Sequence, residues 1–182
     1  MYEDEMSRER WVNFHKRLHD HQYLERIITG WYEKSISESE TFNKFICLWI
    51  AFDAWVTNYL EQENLKRFDR KLEFLSDQSK DPTLSNDYRK LLQKDEFRKE
   101  LIELKTKCPV RDARTKYGTK PRPFSDISDL GQLMKVLYQI RNNLFHGSKP
   151  LEPGRDQNLV SLGNQILGQL FVPLYKRIKS CR

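Results

Sequence analysis

Arg141 and His146 stand five positions apart in the stretch Gln139-Ile140-Arg141-Asn142-Asn143-Leu144-Phe145-His146-Gly147-Ser148-Lys149. An imidazole changes charge near neutral pH, so it can both take and give a proton. A guanidinium is a permanent planar cation that binds phosphate through two parallel N–H donors. Together the two types can move a proton beside a phosphate and hold the charge that develops there. They also have a structural use, because a helix end favours basic side chains through its dipole and its free carbonyls. On residue types alone, the structural use is the commoner one.

Helix geometry sets what else must help. Five residues turn about 140° and rise about 7.5 Å, so Arg141 and His146 do not share a face. Asn142 and His146, four apart, do, which makes Asn142 the expected orienter of the imidazole. Gly147 suits the position just past a helix end, where the backbone unwinds and the long Arg141 side chain can bend toward His146. Asp53 stands among the apolar residues Trp49, Ile50, Phe52 and Trp55. It is expected to hold Arg141 as a buried or half-buried ion pair, since either charge left alone in an apolar core is costly.

The elements that must position these groups read as helices throughout. Trp11, Phe14, Leu18, Leu24, Ile28 and Trp31 recur mostly at three- and four-residue steps and predict one helix over about 7–32. After a polar break with Ser39 or Thr41 as N-cap, a second helix over about 42–62 is apolar nearly all round. Such a helix lies centrally in its domain or lines an oligomer interface. Leu65 to Leu75 predicts a third helix, 79–86 with Pro82 a loop, and Tyr88 to Leu104 a fourth helix. A helix starting near Ser125 or Ser128 carries Leu130, Leu133, Met134, Leu137, Ile140 and Leu144 inward to Gly147. A last helix covers about 157–179, with Pro173 expected to kink or divide it. No strand alternation is present. The expectation is an all-α antiparallel helical bundle, one domain over 1–182.

Residues 105–125 form a long basic loop before the motif helix, broken by Pro109, Gly118, Pro121 and Pro123. Lys105, Lys107, Arg111, Arg114, Lys116, Lys120 and Arg122 face a single acid, Asp112. This segment accounts for the whole net charge of +6, so the rest of the chain is neutral. A patch of this kind, with Tyr117 and Phe124 in or beside it and Lys149 beyond the motif, suits single-stranded RNA. Its bland counterpart is a solvated loop whose charge is incidental.

Other chemistries find little support. His15 and His19 have metal-ligand spacing with His21 nearby, but no third ligand is evident, so a solvated face is the better reading and no metal is expected. Cys47, Cys108 and Cys181 are widely spaced, which predicts reduced thiols in the cytoplasm, with Cys47 in the core. There is no apolar run long enough to span a membrane and no apolar segment of a secretory signal in MYEDEMSRER. Phosphate loops, dinucleotide fingerprints, zinc-protease and serine-hydrolase motifs are absent, and no cofactor is expected.

Arg141 and His146, with a polar residue directly after the arginine at the end of a late helix, resemble the R-x4-H signature of the HEPN superfamily. Trp49-Ile50-Ala51-Phe52-Asp53-Ala54-Trp55 is similar to the tryptophan-rich helix of several HEPN branches. The resemblance covers about a quarter of the chain. It implies a HEPN-like bundle, a homodimer that lines one cleft with two motifs, and metal-independent endoribonuclease activity on single-stranded RNA. His146 would transfer protons, Arg141 would stabilise phosphate charge, and Asn142 and Asp53 would position them. A toxin–antitoxin or phage-defence role is implied as well. HEPN toxins modified by a nucleotidyltransferase antitoxin usually carry tyrosine two residues after the histidine; Ser148 stands there, which leaves regulation to a protein antitoxin or other protein contact. The alternatives are a non-catalytic HEPN-fold module binding RNA, a nucleotide or a protein, and an interaction protein unconnected with RNA.

Overall fold

The computed structural model describes residues 2–110, 122–145 and 154–180. Among them the chain forms eight α-helices: α1 Tyr2–Asp20, α2 Gln22–Ser37, α3 Thr41–Tyr59, α4 Phe68–Ser76, α5 Pro82–Leu91, α6 Asp95–Lys107, α7 Leu130–Phe145 and α8 Arg155–Lys179. No strand occurs among the described residues; the one extended pairing joins Val110 and Arg122. The fold class is all-α.

The apolar α3 lies at the centre. Phe45, Leu48, Trp49, Ala51, Phe52, Trp55, Val56 and Tyr59 are buried on it, and α2 and α8 pack most extensively against it. One cluster of buried apolar side chains takes residues from all eight helices. Full burial of a large apolar side chain stabilises by roughly 1.5–3 kcal/mol, so α3 supplies much of the drive for the other helices to assemble around it. Between α5 and α8, Arg177 Nη1 and Nη2 donate to the two Asp87 carboxylate oxygens at 2.6 and 2.8 Å. Among the described residues no helix is long and apolar enough to cross a membrane.

Several boundaries differ from the sequence expectation. The first predicted helix is two helices, broken at His21, whose backbone departs from helical angles (φ −128°, ψ 71°). Neither proline nor glycine marks this break. The segment 79–86 is not wholly loop: Pro82 occupies the first turn of α5, where its missing N–H costs nothing, and Asp81 accepts the Leu84 N–H at 3.2 Å. The predicted helix from Tyr88 to Leu104 is interrupted between Leu91 and Asp95 by a turn, closed by the Lys94 N–H donating to the Leu91 carbonyl at 2.9 Å. Glu40, rather than Ser39 or Thr41, precedes α3, and its side chain makes no capping bond. Pro173 lies inside an α8 that continues to Lys179.

Candidate functional site

Asp129 organises the start of α7. Its Oδ1 accepts the Gln132 N–H and its Oδ2 the Gln132 side-chain amide, both at 2.9 Å. Leu130, Leu133, Met134, Leu137 and Ile140 are buried and Leu144 packs partly against the core, as the three- and four-residue spacing requires. With that face inward, Tyr138 and Arg141 fall half-buried on the flank of the helix toward α3 and α4.

Asn142 opens the last turn of α7, and Arg141 directly precedes it. The Arg141 guanidinium donates from Nη1 to Asn142 Oδ1 at 3.1 Å, and Asn142 is only 5% exposed. One turn earlier Gln139 is also buried, and its amide donates to Asn143 Oδ1 at 2.9 Å. Asn142 therefore steadies the arginine; its relation to His146 lies outside the described residues, as does His146 itself.

Asp53 is half-buried on α3. Burial pushes its carboxyl above the usual carboxylate range, while the charges of Lys71 and then Arg141 pull it down. Arg141 is thus within electrostatic reach of Asp53. Lys71, on α4, donates from Nζ to Thr57 Oγ1 at 3.2 Å, one turn of α3 beyond Asp53. Sequence reading passed over Lys71 and Tyr138. Tyr138 carried a usable signal, since it precedes Arg141 by three residues and must share its face; Lys71 carried none, because α4 meets α3 and α7 only in the folded chain.

The basic segment is described at its two ends. Lys105 and Lys107 sit in the exposed or half-exposed last turn of α6, with Lys107 3.5 Å from Glu103. Arg122 is half-buried, and its backbone exchanges hydrogen bonds with Val110 at 3.3 and 3.0 Å. That pairing draws the ends of the segment together. Arg111, Arg114, Lys116, Lys120, Tyr117 and Lys149 lie outside the described residues. Phe124, expected to stack on bases, is 2% exposed and belongs to the core, while Pro123 and Ser125 on either side of it are exposed.

The remaining candidates resolve into structure. His15 is half-buried beside the Trp11 ring at 5.5 Å, and burial holds its pKa below the ordinary value, whereas the His19 side chain is 90% exposed. Among the described residues no group of three or more His, Cys, Asp or Glu is arranged to hold a metal ion. Cys47 is buried and its thiol pKa is pushed up by burial; Cys108 is half-buried and pushed up to about 11 for the same reason. Cys181 lies outside the described residues.

The fold and these side chains define an all-α protein with a half-buried arginine at the end of a late helix. Comparison with family models, curated proteins and solved structures returns no match for the chain.

Proposed function

We propose that the chain is a HEPN-type, metal-independent endoribonuclease that cleaves single-stranded RNA at a homodimer cleft. The observation that carries this reading is the setting of Arg141: a cation just before the last turn of α7, held by Asn142 and within the field of Asp53. A guanidinium positioned in this way is prepared to bind a phosphate in one orientation. His146, five residues on, supplies the proton-transfer group.

The reaction balances without a cofactor. The 2′-oxygen attacks the adjacent phosphorus and gives its proton to one His146; the bond from phosphorus to the 5′-oxygen breaks, and the leaving oxygen takes a proton from the partner's His146. The products are a 2′,3′-cyclic phosphate and a 5′-hydroxyl. Both Arg141 side chains hold the charge that builds on the phosphate oxygens. Cytoplasmic location, control by a protein antitoxin or regulator, and a role in toxin–antitoxin or phage-defence systems go with this reading.

The test is incubation of the wild type, Arg141→Ala and His146→Ala with mixed RNA in EDTA. Cleavage by the wild type alone, with cyclic phosphate ends, is the expected result. RNA binding without cleavage by any of the three would replace the enzyme with a non-catalytic module of the same fold.

A further inference from the structure

Beside Arg141 three aromatic rings from three helices meet. Trp49 of α3 is 2% exposed, and Tyr138 of α7 lies over it with centroids 6.2 Å apart and planes 28° from parallel. Phe68, at the start of α4, packs on Tyr138 at 5.4 Å and on Trp49 at 5.6 Å. Trp49 is the floor, while Tyr138 and Phe68 are half-buried and keep part of their surface open. The buried indole backs the partly open faces of the other two rings.

The cations are arranged around it in register. Arg141 follows Tyr138 by three residues on α7, and Lys71 follows Phe68 by three on α4, so each ring has a cation one turn along its own helix. Asp53 follows Trp49 by four residues on α3, and its carboxyl feels the charge of both cations. Side chains three apart on a helix have Cβ atoms about 5–6 Å apart, a spacing comparable with that between a nucleotide's phosphate and its base. The pattern of ring beside cation, on two helices meeting at one floor, matches the stacking surfaces and phosphate contacts by which proteins hold single strands.

We propose that Tyr138 and Phe68 form a stacking shelf for an unpaired base of an RNA strand whose neighbouring phosphate is held by Arg141, with Lys71 on the far side. This deepens the ribonuclease reading and rests on it for the identity of the ligand. The shelf would fix which nucleotide stands next to the scissile phosphate, and every base offers a face to stack, so preference would follow stacking strength.

The probe is a labelled single-stranded oligoribonucleotide of mixed sequence, bound to full-length His146→Ala so that no cleavage intervenes, together with the same strand carrying abasic positions. Removing bases is expected to weaken binding about tenfold, the usual scale for losing one stacked base. Tyr138→Leu and Phe68→Leu should bind the intact strand about tenfold more weakly and should no longer distinguish it from the abasic one. Tyr138→Phe, which keeps the ring, should bind as before. The salt dependence should be unchanged in all of these variants, because every cation that meets a phosphate is kept.

Equal affinity for intact and abasic strands overturns the shelf without recourse to any substitution on it. So does Tyr138→Leu binding as tightly as its parent, or adenosine monophosphate competing as strongly as the strand. Absence of cleavage in the wild type, with ring-dependent binding intact, would remove the enzyme and leave the shelf; cleavage with ring-independent binding would do the reverse.

Discussion

At Asp81 a carboxyl that is 1% exposed accepts the Leu84 N–H at the start of α5 and lies 3.8 Å from Arg10 Nη1. Burial dominates, and the carboxyl is pushed up from 3.8 to about 6 although the Leu84 N–H and Arg10 both pull it down. The folded chain therefore holds this proton more tightly than the unfolded chain does. The stability it contributes is present below the ordinary value and is lost as pH rises through the folded one. Asn at this position still accepts at a helix start and cannot ionise. Asp81→Asn is expected to unfold at a higher urea midpoint than the wild type near pH 7, reflecting a gain in stability on the order of 2 kcal/mol, with the gap closing toward about pH 4. A gap that is constant with pH would show that Asp81 ionises freely. At this scale the sequence placed Arg141 late on α7, and it did not indicate the hydrogen bond that Arg141 makes to Asn142. Spacing of four residues relates Asn142 to His146, which lies outside the described residues, whereas a bond between adjacent side chains depends on rotamers that spacing does not encode.

Two helix-interior glycines separate local propensity from packing. A Cβ on Gly30, at an exposed position of α2, would meet nothing within 4 Å, whereas one on Gly163 of α8 would stand 3.1 Å from Phe45 Cε2 and 3.6 Å from Ile140 Cδ1. Replacing an unconstrained helical glycine by alanine gains about 0.5–1 kcal/mol. Gly30→Ala should therefore raise the thermal midpoint. At Gly163 the Phe45 ring, fully buried on α3, has little room to yield, and overpacking of a core typically costs about 1–3 kcal/mol. Gly163→Ala is expected to leave the midpoint unchanged or lower it; equal increases for both would mean that α8 does not need the close approach to α3. The same distinction explains what was legible among the elements. Long apolar periods identified α3, α7 and α8 because burial itself imposes them. The break at His21 and the start of α5 were hidden: polar residues bridge the first without a breaker, and Pro82 signals either a loop or a first turn until Asp81 is seen to cap it.

Across the whole molecule the excess positive charge is confined to one segment, and the Val110–Arg122 pairing fixes where that segment leaves and rejoins the bundle. If it tracks an RNA strand, replacing Arg111, Arg114 and Lys116 by Ser should weaken binding and reduce the dependence of log affinity on log salt, by about 0.7 for each phosphate of a single strand that is no longer neutralised. An unchanged slope would mark the charge as incidental. The ribonuclease proposed above would also require two copies to act together, since one arginine and one histidine would not provide base, acid and phosphate cation at once. In such a shared cleft a crippled subunit would be harmful to its partner. Wild type and His146→Ala, unfolded together in equal amounts and refolded, would distribute so that only about a quarter of the dimers carry two intact motifs. Activity should fall to that fraction of an equal total of wild type, whereas independent subunits would retain about half. Mixing without unfolding, before subunits exchange, should give the half value and drift downward with time. Activity that remains at half after refolding, with size measurements showing mixed dimers, would mean that each chain cuts alone.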